Sequence, residues 1–255
     1  MEAPLKFRAI AVFLVFCSFL SLLSSCSTPR PEGQTEAEVL YLEAKEQFER
    51  RRFLLATERL NLLRSRYPYS FYAAPAELLQ ADILFEQGSY AEAAAAYSLF
   101  RDFHPRHERI AYVVYRIAES YYQQIPSTYD RDLQPAREAI TFYRELINRF
   151  SDSEYAQQAR DKILEAEEML KNRERYVADF YFRTKVYDSA KFRYKEILAN
   201  FSDKDLRDEA MMRIVESSYR LKEFDECQNY FSAFKSQISE SNKRRLERLA
   251  NNCIQ

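Results

Sequence analysis

The chain has 255 residues, with 38 basic side chains against 39 acidic ones, two glycines and no tryptophan. A net charge of −1 gives the molecule as a whole no field for a polyanion. Two glycines are too few for phosphate loops or for folds built on tight glycine turns, so the composition favours helix throughout.

At the N-terminus, Lys6 and Arg8 precede an apolar run over residues 9–23, which is followed by Ser24, Ser25 and Cys26. Fifteen apolar residues are short for a bilayer span, and basic residues before such a run make a secretory signal. Leu23-Ser24-Ser25-Cys26 resembles the lipobox of bacterial lipoproteins, with Cys26 as the acylated first residue of the mature chain. An ordinary cleaved signal or an uncleaved anchor is the competing reading. Ser27 follows where an aspartate would imply retention at the inner membrane, so the resemblance implies the outer membrane. Residues 1–25 are therefore read as signal and residues 26–35, with Pro29, Pro31 and Gly33, as a lipidated tether.

From residue 36 a repeat takes over. A first helix is expected from about Glu36 to Arg50, with Tyr41, Ala44 and Phe48 on one face. Leu78, Ala81 and Phe85 repeat that spacing 37 residues on, and Tyr115, Ala118 and Tyr122 a further 37 on. Ala178 with Phe182, and Val215 with Tyr219, continue the series. Between these come frame helices. Tyr90, Ala93, Tyr97, Phe100 and His104 follow at steps of three, four, three and four, which keeps them on one helical stripe. Pro105 then removes the next amide donor. Phe53, Ala56, Leu60, Leu63 and Tyr67 form an earlier copy. Ala136, Ala139, Tyr143, Leu146 and Phe150 form a later one, as do Tyr187, Ala190, Tyr194, Ile197 and Phe201. Phe224, Cys227, Phe231, Phe234 and Ile238 form the fifth. Each small residue marks a close helix approach, and pairs of this kind bury their faces only by stacking.

The pattern resembles tetratricopeptide repeats, with a period of 37 and without that repeat's tryptophan and glycine. It implies an all-α, right-handed solenoid: five helix pairs over residues 36–239 and a short C-terminal capping helix and tail over 240–255. Two places break the period. The connection from Tyr122 to Ala136 is nine residues longer than in the first repeat. Residues 152–182 hold no Pro or Gly, so one helix of about 28 residues is expected there. Cys227 sits in the small-residue slot and is expected as a buried side chain. A Cys227–Cys253 disulfide is open to it in an oxidising compartment.

Together these features resemble the BamD family, lipoproteins of the outer-membrane β-barrel assembly machinery. Arg66-Tyr67-Pro68-Tyr69-Ser70 with Tyr72-Ala73, the 90–105 helix, Asp130-Arg131-Asp132, Ser153-x-Tyr155-Ala156, Glu174-x2-Val177-Ala178-x2-Tyr181 and Tyr187-x2-Ala190-x2-Arg193 carry the resemblance. It implies an outer-membrane location on the periplasmic face. The implied partners are a barrel-forming protein like BamA, other lipoproteins of that machinery, and unfolded outer-membrane barrel proteins. Tyr67, Tyr69 and Tyr72 are then candidate substrate contacts, and Asp130, Asp132 and Arg193 candidate partner contacts. For Tyr67, Tyr69, Phe71 and Tyr72 the periodicity puts at least half in the core, and Tyr67 stays divided between packing and binding. Asp130 to Asp132 serve equally as a turn and helix cap, and Arg193 as a solvated arginine. A generic periplasmic scaffold lipoprotein is the alternative function.

An envelope enzyme is disfavoured, because no Ser-His-Asp, Cys-His or glycine-loop arrangement is available. His104 and His107 lack a third ligand at metal spacing, so neither metal nor cofactor is expected. Glu165, Glu167 and Glu168 read as a solvated face. Arg50-Arg51-Arg52 and Lys243-Arg244-Arg245 are basic runs, but an exported chain makes nucleic acid an improbable partner.

Overall fold

A computed structural model describes residues 32–129 and 131–254, so the signal, Cys26 and Asp130 lie outside the described residues. The chain divides into two compact units, 1–73 and 74–255. In the first, α1 (Glu36–Glu49) and α2 (Phe53–Arg66) pack as a pair. The second holds α3 (Ala73–Glu86), α4 (Tyr90–Phe103), α5 (Ile110–Tyr122), α6 (Gln134–Arg149) and α7 (Ala156–Arg183). It continues with α8 (Tyr187–Asn200), α9 (Lys204–Arg220), α10 (Phe224–Phe234) and α11 (Glu240–Asn251). From α4 to α11 each helix packs on the next in chain order, which is how a repeat that cannot bury its own face acquires a core. The described residues contain no strand.

The small-residue slots explain that packing. Ala44, Ala81, Ala118 and Ala178 on the first helices are fully buried, as are Ala56, Ala93, Ala139, Ala190 and Cys227 on the frame helices. The larger stripe residues Leu60, Tyr97, Tyr143 and Tyr194 fill the space beside them. α1 and α9 start on side-chain caps, from Thr35 and Asp203. The Thr35 hydroxyl accepts the Glu38 amide at 3.1 Å, and the Glu38 carboxylate accepts the Gln34 amide at 2.8 Å.

Frame helices stop one position earlier than the stripe. Tyr67, His104, Phe150 and Phe201 are C-caps outside the helical region, each donating its amide to the carbonyl four residues back. A proline follows the first two, and its ring disfavours helical geometry at the preceding residue. Ser151 and Ser202 follow the others, and the helices still end at the same frame position. Proline therefore reinforces a stop that packing already sets. In the fifth repeat α10 ends sooner, at Phe234, yet Ile238 stays buried in the equivalent slot.

The tight turns inside the repeats share one geometry. Arg51, Gly88, Lys185 and Lys222, each two residues before the frame's first aromatic, have φ of 56°, 79°, 64° and 63°. The amides of Gly88 and Ser89 donate to the carbonyls of Phe85 and Leu84 at 2.9 and 3.0 Å, and the other three turns repeat the arrangement. A left-handed residue closing a helix in this way satisfies its orphan carbonyls. Only one of the four is glycine, so three turns hold a side chain in a backbone region it disfavours.

The long helix is present at the expected length, 28 residues from Ala156 to Arg183. The final helix is fastened at both ends. Near its start, the buried Asp208 carboxylate accepts from the Ser239 amide, the Ser239 hydroxyl and the Asn242 side chain, the last at 2.9 Å. Beyond its end, Cys253 is bonded to Cys227 with Cα atoms 6.0 Å apart. Cys227 is buried as expected, and the disulfide left open to it is formed. The slot demands a small side chain, and α11 returns Cys253 beside it.

Candidate partner-binding surfaces

The turn after α2 is built by short-range hydrogen bonds. The Ser70 amide donates to the Tyr67 carbonyl at 3.1 Å and the Ala73 amide to the Ser70 carbonyl at 3.0 Å. This projects Tyr69 and Phe71 outward, 100% and 85% exposed. Tyr67 and Tyr72 are half-buried, so the expectation that half of these rings are core is corrected: a two-turn loop cannot point alternate side chains inward. Tyr72 is tied back to α1. Its ring lies 5.5 Å from Tyr41 and 5.5 Å from Phe71, edge-on to the latter. The Gln34 amide and then the Tyr72 hydroxyl hold the Glu38 carboxyl below its ordinary pKa, and the same bond to Glu38 pushes the Tyr72 phenol up. A braced tyrosine behind two exposed rings is an aromatic platform.

The second surface gathers on α7. Glu174, mostly buried, faces Arg173 at 2.8 Å and both Arg137 and Arg193 at 4.0 Å. Arg173 also donates to the Arg131 carbonyl at 3.4 Å, and Tyr129 lies 6.1 Å from Tyr176. The long third-repeat loop is therefore bound to α7 beside the same carboxylate that receives Arg193. Leu133, fully buried with Ala136, Ile140 and Ala166, pins the end of that loop. Asp132 is exposed and accepts the Gln134 amide at 3.1 Å, a side-chain turn just ahead of α6, whose N-cap is Leu133. Beside Arg193 opens a cleft of about 300 Å³ lined by Tyr181, Asp188, Ser189 and Phe192. Phe192 is 58% exposed. Sequence spacing alone did not bring Arg131 and Arg193 together; the length of α7 does.

Residues 33–231 match a family described as "YfiO: Outer membrane lipoprotein". The chain belongs to that family. Proteins named "Outer membrane protein assembly factor BamD" are among its relatives. The one from Neisseria gonorrhoeae is 28% identical over 214 residues, which is 78% of this chain and 80% of that protein. The one from Rickettsia prowazekii is 28% identical over 213 residues, covering 83% and 84%. That from Vibrio cholerae is 27% identical over 194 residues, covering 72% and 80%.

In this YfiO family member, three central repeats share a feature that periodicity did not reveal. The Tyr97 hydroxyl donates to Asp82 at 2.6 Å, that of Tyr143 to Glu119, and that of Tyr194 to Asp179 at 2.6 Å. Each carboxylate follows its repeat's small alanine directly, and each tyrosine lies four residues after the frame alanine. The signal was legible: Ala-[Asp/Glu] paired with Ala-x3-Tyr. Leu60 and Phe231 stand at the tyrosine position in the outer repeats and form no such bond. Burial first, then the neighbouring carboxylate, raises all three phenols far above their usual pKa, so they remain donors.

Rings and cations extend this network between repeats. Tyr112 donates to the same Asp82 oxygen at 2.7 Å, and Arg116 donates to Tyr97 at 3.1 Å with its guanidinium 3.5 Å from the Phe85 ring centre. Lys162 over Tyr122 and Arg213 over Phe182, both at 4.2 Å, repeat the stacking. His104 is accounted for by Glu77 at 3.0 Å and the Phe100 ring, and His107 by the Arg109 amide. Glu165, Glu167 and Glu168 lie on exposed α7 and pair with Lys162, Arg144 and Lys171. Among the described residues no helix is long and apolar enough to cross a membrane.

Proposed function

We propose that this chain is an outer-membrane protein assembly factor, a lipoprotein scaffold rather than an enzyme. In this reading it is anchored through Cys26 on the periplasmic face and works beside a barrel-forming partner and further lipoproteins. The relatives' shared name and the family's description support it. The aromatic platform of Tyr67, Tyr69 and Tyr72 receives extended segments of unfolded barrel proteins. Such segments carry apolar residues at every second position with aromatic girdles, and exposed rings on a braced turn suit them. Arg193, with Asp130 and Asp132 of the loop, holds the membrane-embedded partner.

The observation that carries the division of labour is the Glu174 cluster. It holds Arg193 only loosely, at 4.0 Å, and leaves its guanidinium free to take a partner carboxylate bidentately. Arg193→Glu should weaken co-purification of a β-barrel protein while a barrel-derived peptide still binds, and Tyr67→Ala should do the reverse. Equal loss of both interactions in variants that circular dichroism shows to be folded would refute the division. Capture of no barrel protein by the wild type would instead favour a scaffold for another envelope complex.

A further inference from the structure

The start of α2 departs from its sister helices in a way folding does not explain. At the two positions after the frame's first aromatic, α8 carries Asp188 and Ser189, α10 carries Asp225 and Glu226, and α4 carries Ala91 and Glu92. Acidic groups there complement the positive end of the helix dipole. The first repeat has Leu54 and Leu55 instead, 81% and 42% exposed. Its N-cap is Arg52, which places a cation where the dipole opposes it. Arg51 before it adopts φ 56°. The left-handed backbone is shared with Lys185 and Lys222, but leucines in water and a cation at the N-cap, each a cost to stability, are absent from these positions in α4, α8 and α10. Such a concentration of local violations marks a surface kept for contact.

Arginines beside exposed leucines are the chemistry of an interfacial lipid contact: apolar side chains enter the acyl boundary and guanidinium groups meet anionic headgroups. Arg50, Arg51 and Arg52 are all exposed. Arg50 pairs with Glu46 at 2.6 Å, and the Arg51 guanidinium lies 5.3 Å from the Phe53 ring centre. Reach also fits. The nine residues from 27 to 35 stretch to about 30 Å, and α1 spans about 21 Å, so a chain anchored at Cys26 can lay this turn on the bilayer.

We propose that the turn between α1 and α2, residues 50–55, is a second membrane contact, seating Leu54 and Leu55 in an anionic lipid surface. It supplements the acyl anchor and rests on the lipoprotein reading only for the tethered geometry. The absence of tryptophan from the chain makes the test direct. Leu54→Trp and, as a control on α4, Leu99→Trp (59% exposed) each introduce a sole indole into the full-length acylated protein. In vesicles containing phosphatidylglycerol and brominated lipid, the Leu54→Trp indole should be quenched several-fold more than that of Leu99→Trp. Equal quenching overturns the proposal, as does the absence of quenching at position 54, which would leave the turn to a protein partner.

A second arm removes the anchor. The unacylated Cys26→Ala chain should bind anionic vesicles more tightly than neutral ones, and Arg52→Glu in that background should lower the anionic affinity by roughly tenfold. An unchanged affinity overturns the proposal. Mass spectrometry of the wild-type N-terminus decides acylation separately, so failure of the anchor and failure of the turn give different results.

Discussion

At the scale of single residues, the fold depends on what is small rather than on what is large. Eight buried alanines and one buried cysteine at matched positions let neighbouring helices approach, and the bulky rings pack around those contacts. Ala93 has no exposed surface, and a leucine there forces the α4 contacts apart. Ala93→Leu should destabilise the protein by about 1–3 kcal/mol, read as a lower denaturation midpoint at an unchanged slope. An unaltered midpoint would mean that Ala93 is not at a helix contact. The tyrosine–carboxylate bonds add direction to this packing, because a buried hydroxyl aimed at a carboxylate fixes one register between paired helices.

At the scale of elements, turns and fastenings decide how firmly each repeat closes. Gly88 adopts φ 79° with open space around the position of an added Cβ, so Gly88→Ala tests backbone strain alone and should cost about 1 kcal/mol. Lys185→Gly, at the equivalent turn, should gain a similar amount less the larger unfolded-state entropy of glycine. Thermal or chemical melts of the pair check this, and a loss from Lys185→Gly equal to that from Gly88→Ala would refute it.

The last helix supplies a pH test. Burial acts to raise the Asp208 pKa, but hydrogen bonds from Ser239 and Asn242 override it and hold the carboxyl below its ordinary 3.8. A depressed folded-state pKa contributes stability above the unfolded value, and that stability is lost as pH falls through the folded one. The stability gap between wild type and Asp208→Asn should therefore persist from neutral pH to about pH 4 and close below it. A gap that stays constant into stronger acid would show that the ionised carboxylate does not fasten α11.

At the scale of the whole molecule, the anchor and the helical body are separable. The core and hydrogen bonds given above are made among the described residues of the helical body. Cys26→Ala should leave the circular dichroism spectrum and melting midpoint unchanged while moving the protein out of the membrane fraction. Retention in outer membrane after a salt wash at full yield would refute acyl anchoring as the dominant attachment. The membrane-facing turn predicts a weaker residue of binding that salt removes, since its arginines act through screened electrostatics.

The amino-acid order alone determined the helices, their small-residue contacts and the long α7, because those follow from local periodicity and from where proline and glycine are missing. The length of α7 was legible in residues 152–182, though its start at Ala156 was not, and the two anomalous connections were legible as breaks in a 37-residue period. What needed the tertiary structure was every juxtaposition across that period. Glu174 meets Arg193 and the Arg131 segment because a 28-residue helix carries one side chain past two repeats. Cys253 reaches Cys227 because α11 folds back on α10. Tyr69 and Phe71 face water because a turn closed by hydrogen bonds between near neighbours turns its side chains outward, where the helical period no longer applies.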